Sequence, residues 1–215
     1  MTRCNSTKSQ QYQIPADVEL LIVDAHDTIL KRDMSQVQGP VFGDPEEKQK
    51  IVWAPREGLL NFLTFYAKVL QKSIVISSDG NRKRLQEQFE RFGIADMIRR
   101  VYGEEHLESD TSLKNLGTIC EDMKIPPERA LFIGDSDVDK KSSEKYNIHF
   151  VRVPNTLEDR HFSFNSFIVI DPDEGMTGLE IHGIKNVRNA YFNLTTADLY
   201  EFSIRQMESR IAHLG

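Results

Sequence analysis

The chain has 215 residues, 39% hydrophobic and 28% charged, a length and balance that suit one globular α/β domain with a sizeable core. Its net charge of −6 disfavours non-specific nucleic-acid binding, and no apolar run approaches the roughly 20 residues of a membrane span. Only Cys4 and Cys120 are present, so no disulfide framework or zinc set follows, and the polar start MTRCNSTKSQQYQ lacks the apolar stretch of a secretory signal, which predicts a cytoplasmic location.

In chain order, residues 1–15 are polar, end at Pro15 and are expected to be a disordered tail ahead of a core spanning 16–155. The continuous apolar run at 20–23 breaks off at Asp24, the pattern of a strand buried on both faces of a parallel sheet. Residues 31–54 carry Gly39-Pro40 and Asp44-Pro45 turn signals and suffice for a flap or hairpin, with Val41, Phe42 and Trp53 as candidate lining residues. Pro55 is expected to open a helix through Leu59, Leu60, Leu63, Tyr66 and Leu70.

Ile74–Ile76 is the second buried strand. It leads through Ser77-Ser78-Asp79-Gly80 into a helix with Leu85, Phe89 and Phe92 on one face, closed by Gly93. Arg82, Lys83 and Arg84 at its start read as a solvated helix end or as a cationic cluster for a phosphate-rich substrate. A short strand at Val101-Tyr102, a helix through Leu113, Leu116, Ile119 and Met123, and strands at Ala130–Ile133 and Ile148–Val153 follow. This alternation predicts a Rossmann-like, doubly wound parallel sheet with helices on both faces. Residues 156–215 are expected to be an extension packed on the core. It has a strand at Phe167–Ile170, a strand-like alternation of Phe162, Phe164 and Phe167, and a last helix over 196–213. His161 and His182 lack the spacing of a metal pair and take no role.

Three polar clusters, Asp24–Thr28, Ser77–Asp79 and Asp135–Asp139, each follow an apolar strand. In a parallel sheet they share the edge where α/β enzymes place ligands. Each cluster alone suits an ordinary turn, because Asp, Ser and Gly are turn formers; three in register are harder to explain that way.

The order hhhhDxxxT, hhhhS, Lys114 and hhhhGDSDVD resembles the four motifs of the haloacid dehalogenase-like hydrolase superfamily over about residues 18–153. The resemblance implies a magnesium-dependent phosphatase acting on phosphate monoesters. Asp24 would be a nucleophile that becomes an aspartyl-phosphate, Ser77 or Ser78 a hydroxyl for the phosphoryl oxygens, and Lys114 a cation for phosphate and nucleophile. Asp24, Asp135 and the backbone carbonyl of His26 would hold Mg²⁺, with Asp139 acting directly or through water. These residue types suit the chemistry, since a carboxylate attacks phosphorus only when the repulsion is neutralised.

His26 departs from the pattern, because family phosphatases usually place an aspartate there as general acid and base. Imidazole titrates near neutrality and can take both roles, whereas Asp27 has the wrong spacing. The alternative is a catalytically impaired domain that binds phosphorylated ligands or a protein partner. With no interval long enough for a large cap, the site is expected to be open, the substrate macromolecular, and nucleic acid a partner only as a substrate end. A homo-oligomer would be another source of cover.

Overall fold

The computed structural model describes residues 11–33, 52–109 and 111–170. Its strands are β1 (Tyr12–Pro15), β2 (Leu20–Val23), β3 (Leu30–Arg32), β4 (Trp53–Pro55), β5 (Ser73–Ser77), β6 (Arg100–Tyr102), β7 (Ala130–Gly134), β8 (His149–Arg152) and β9 (Phe167–Ile170). The α-helices are α1 (Leu59–Thr64), continued by a π-helical turn at Phe65–Val69, α2 (Arg82–Arg91), α3 (Leu116–Met123) and α4 (Asp137–Lys145).

The central sheet is five-stranded and parallel, ordered β6-β5-β2-β7-β8. The chain starts at β2, moves outward through β5 to β6, then returns to the other side of β2 for β7 and β8. The winding therefore reverses between β2 and β7, a topological switch point where open α/β sheets bind ligands beyond the strands' carboxyl ends. Residues along β2 alternate between two apolar clusters. Leu21 and Val23 join the side covered by α1 and α2, while Leu20 and Ile22 join the side covered by α3. Burial on both faces is why the strand reads as an unbroken apolar run.

Three expectations need correction. The tail is not disordered throughout: Tyr12–Pro15 pairs in parallel with β9, with Tyr12 opposite Phe167. Ile14 is wholly buried and Tyr12 stacks on Phe167 at 5.1 Å, so an inward alternation of two apolar residues is enough to order this segment. Pro55 does not open a helix. It ends β4, opposite Leu30 in an antiparallel pair, and α1 starts only after Gly58 turns the backbone with φ of 72°. The hairpin takes Pro55 because a strand end needs no donor from it. Leu113 precedes α3 rather than lying on it, in a segment where Lys114 forms an antiparallel bridge with Leu107.

Phe162, Phe164 and Phe167 are all buried, although Phe164 lies in a 3-10 turn instead of a strand. Val41, Phe42, His182, both flap turn signals and the helix expected over 196–213 lie outside the described residues. No helix among the described residues is long and apolar enough to cross a membrane.

Candidate active site

The strand register places the polar clusters level with one another. Val23 is opposite Ile76 on one side and Ile133 on the other, so Asp24, Ser77 and Gly134 leave the sheet side by side. The Asp24 backbone N–H donates to the Ile133 carbonyl at 2.9 Å, which ties the strand end to β7 just before Asp135.

Around Asp24 the side chains converge. Lys114 Nζ donates to Asp24 Oδ1 at 2.5 Å and to Asp139 Oδ1 at 2.6 Å, with all three residues buried. The Thr28 hydroxyl lies 3.2 Å from Asp24 Oδ2 and 2.8 Å from Asp135 Oδ1. Asp139 also closes the start of α4: its Oδ2 accepts from the Ser136 N–H and hydroxyl, while its own N–H donates back to Ser136 Oγ. That reciprocal cap fixes the carboxylate before Lys114 meets it. Lys114 is held from its own backbone too, its N–H donating to Ser142 Oγ on α4 at 3.0 Å.

The turn after Asp24 decides where its neighbours point. Asp27 has a left-handed φ of 60°, and Arg32 grips its carboxylate with Nε at 3.0 Å and Nη2 at 2.6 Å from Oδ2. Asp27 is thus committed to an ion pair on the hairpin. His26 stays outside the carboxylate group. Its ring packs on Trp53 with centroids 4.5 Å apart, Nδ1 lies 3.9 Å from Asp79 Oδ1, and a Cβ at Gly80 would sit 2.8 Å from its Cε1. The side chain remains 28% exposed. Trp53, a candidate flap residue, therefore reaches the site through His26.

The two serines differ. The Ser78 hydroxyl accepts from the Gly80 N–H at 3.2 Å and so serves the turn, whereas the buried Ser77 hydroxyl has no hydrogen-bond partner among the described residues.

Electrostatically, the three clustered carboxylates Asp24, Asp135 and Asp139 outnumber the Lys114 ammonium that pairs with two of them. Burial pushes the Asp24 carboxyl up to about 7; Lys114 pulls against this, while Asp139 and Asp135 reinforce it. Asp135 is raised as well, by burial first, despite the Thr28 hydrogen bond. For Lys114, burial works against the ammonium, but the fields of Asp24 and Asp139 outweigh it and hold the group above the ordinary lysine range.

Asp24, Asp135 and Asp139 each offer an oxygen, and these atoms lie within 4.8 Å of one another. Hard oxygen donors in a pocket short of cationic charge fit a divalent ion such as Mg²⁺. The His26 side chain is not in this group, so its predicted contact would use only the backbone carbonyl.

Two residues of the site carry no assigned role in the sequence pattern: Thr28, the last position of the first motif, and Arg56. Arg56 lies within the PREG stretch; only its burial, at 2% exposure, marks it as more than a surface cation. His161 stays outside the site, its N–H donating to the Asp159 carboxylate in a surface turn.

Among solved structures, a predicted phosphoglycolate phosphatase from Haemophilus somnus is similar to the chain at 12% identity and a TM-score of 0.52, over 66% of this chain and 92% of that one. CbbY from Rhodobacter sphaeroides, solved in complex with phosphate, is similar at 12% identity and a TM-score of 0.51, over 68% and 90%. At such identities the likeness shows the fold. A comparison with curated proteins gave no match. The sequence pattern described as haloacid dehalogenase-like hydrolase matches residues 45–153, a stretch that contains Ser77, Lys114, Asp135 and Asp139 and begins after Asp24 and His26. With half of its length matched and the parallel sheet in place, the chain belongs to the haloacid dehalogenase-like hydrolase family.

Proposed function

We propose that the protein is a magnesium-dependent phosphatase that hydrolyses phosphate monoesters through an aspartyl-phosphate on Asp24. The observation that carries this reading is the convergence on one buried carboxylate of Lys114 at one oxygen and the Thr28 hydroxyl, shared with Asp135, at the other.

Mg²⁺ would be held by Asp24, Asp135 and the His26 carbonyl, with Asp139 in support directly or through water, and it would offset the repulsion between carboxylate and phosphate. Asp139 already gives one oxygen to Lys114 and the other to Ser136, so its larger task is to hold the lysine. Lys114 keeps its proton and binds a phosphoryl oxygen beside the nucleophile. Ser77, with its hydroxyl unengaged, supplies a second contact, while Ser78 maintains the loop.

An Asp24 oxygen forms the bond to phosphorus as the ester P–O bond breaks, and the departing alkoxide takes a proton from His26. Water then attacks the same phosphorus, losing its proton to His26, and the acyl-phosphate P–O bond breaks to release inorganic phosphate and restore Asp24. The Trp53 ring packed on His26 and the Asp79 carboxylate 3.9 Å from its Nδ1 would orient the imidazole for both transfers.

The substrate is proposed to be a phosphorylated macromolecule whose own bulk covers the site. A second reading, a domain that binds phosphorylated ligands without turnover, draws on the histidine at 26 and on the family pattern starting only at residue 45. A phosphate-release screen with Mg²⁺ over sugar phosphates, nucleotides, phosphopeptides and nucleic-acid ends tests the proposal. Turnover lost in Asp24→Asn supports it, whereas turnover surviving that change removes the covalent route. An inert wild type whose His26→Asp variant becomes active would establish the binding domain instead.

A further inference from the structure

Arg56 is among the largest fully buried side chains in the protein, yet no carboxylate pairs with it among the described residues. Its guanidinium is solvated by backbone: Nη1 donates to the Asp159 carbonyl at 2.9 Å, and Nη2 donates to the Asp27 carbonyl at 2.6 Å and the Pro154 carbonyl at 2.8 Å. Nε has no partner, and the group lies over the Phe162 ring at 5.2 Å. Burying a cation without a counter-charge is costly, and burial lowers its pKa against the fields of Asp27, Asp135 and Asp159. A core position needing only apolar volume would take leucine or methionine. What arginine adds is a rigid fork able to bind several carbonyls together.

Those carbonyls belong to segments on both sides of the switch point. Asp27 lies in the turn between the nucleophile and Thr28, while Pro154 and Asp159 follow β8, the neighbour of the strand that carries Asp135. The Arg56 backbone N–H also donates to the Ile29 carbonyl at 2.9 Å. Asp27 is therefore held twice, its carboxylate by Arg32 and its carbonyl by Arg56, in a left-handed conformation that a non-glycine residue adopts only at a cost. The same turn aims the Thr28 hydroxyl at both Asp24 and Asp135.

We infer that Arg56 is a positioning residue for the reaction, clamping the Asp24–Thr28 turn to the segment after β8 so that Thr28 is presented to Asp24 and Asp135 in one fixed geometry. The inference rests on the phosphatase reading for its kinetic arm and on the fold alone for its exchange arm.

Arg56→Lys keeps a charge but replaces the planar fork, whose two terminal nitrogens serve three carbonyls, with a single ammonium nitrogen. In metal-free protein, amide exchange should accelerate at least tenfold at Ile29 and Leu30, whose N–H groups close the turn on the Ala25 carbonyl, while Ile133 in β7 exchanges as in wild type. With Mg²⁺ and a substrate found in the screen, kcat should fall at least tenfold with KM within threefold. Unchanged exchange at Ile29 and Leu30, or acceleration shared equally by Ile133, overturns the clamp. So does a kcat loss that merely tracks the folded fraction. If no substrate is turned over by wild type, the phosphatase reading fails while the exchange result still decides the clamp. If the lysine variant does not fold, Arg56→Met carries the same readouts; failure of both to fold would make Arg56 a folding determinant and end its positioning role.

Discussion

The Thr28 hydroxyl lies 2.8 Å from Asp135, although 107 positions separate the two residues. A hydrogen bond to a charged group contributes about 1.5–3 kcal/mol. Thr28→Val should accordingly weaken Mg²⁺ binding by roughly 10–100-fold, and Thr28→Ser should retain most of it. Isothermal titration with Mg²⁺ measures both, and equal affinities in the two variants would show that the contact does not organise Asp135.

Lys114 is the only cation in hydrogen-bond contact with the buried carboxylates Asp24 and Asp139 among the described residues. Removing it strands those charges, so Lys114→Met should destabilise metal-free protein by about 3–5 kcal/mol in urea titrations with EDTA. Lowering the pH should restore part of that loss by protonating the carboxylates. Stability equal to wild type would mean that the pair is replaceable by apolar packing.

The pH dependence of the metal-free protein follows from Asp24. Its carboxyl sits at about 7 when folded against 3.8 as the reference value, so its contribution is fully present below pH 3.8 and lost as pH rises through about 7. Stability should fall between those values, by at most about 1.4 kcal/mol per pH unit from this one proton, and this contribution should level off above them. Asp24→Asn should flatten the profile and be the more stable protein at pH 8. Parallel profiles for the two proteins, from denaturation at half-unit steps, would argue that Asp24 is ionised throughout.

Glu108 offers the opposite sign on the surface. Hydrogen bonds from Lys145, Tyr146 and Thr111 hold its carboxyl down at about 2 against a reference of 4.5. Its contribution is present above pH 4.5 and disappears as pH falls through about 2. The melting-temperature difference between wild type and Glu108→Gln should therefore be constant near neutrality and shrink below pH 4.5. A gap that widens in acid would contradict the clasp.

His26→Ala should lower kcat by roughly 10²–10⁴ for a substrate with a poor leaving group and far less for p-nitrophenyl phosphate, whose phenolate departs with little protonation. Equal losses on both substrates would place His26 in structure instead of proton transfer.

The central sheet and its three polar strand ends were legible because strands buried on both faces leave unbroken apolar runs, and side chains at the next position inherit the register. Lys114 was legible through its order among the motifs. The Asp27 turn was not, because aspartate tolerates a left-handed φ without requiring it, and the Arg56 that binds its carbonyl is 29 positions away. Pro55 misled because a proline ahead of apolar residues suits a helix start, and its pairing with Leu30 depends on a contact distant in sequence. Tyr12 and Ile14 were hidden for a similar reason: two inward residues become a strand only when Phe167 and its neighbours arrive beside them.

The parallel pairing of β1 with β9 sets a timetable for synthesis. At about 5–20 residues per second, β1 is made roughly eight to thirty seconds before its partner strand exists. Until β9 is made Tyr12 and Ile14 have no aromatic bed, and Phe62, once synthesised, still lacks Phe164 and Phe167, against which it packs. The nascent chain can complete its central sheet earlier, once β8 has emerged. The emerging protein should thus pass through a stage in which the Asp24, Asp135 and Asp139 carboxylates are already assembled while an apolar seam stays uncovered, a period suited to chaperone capture.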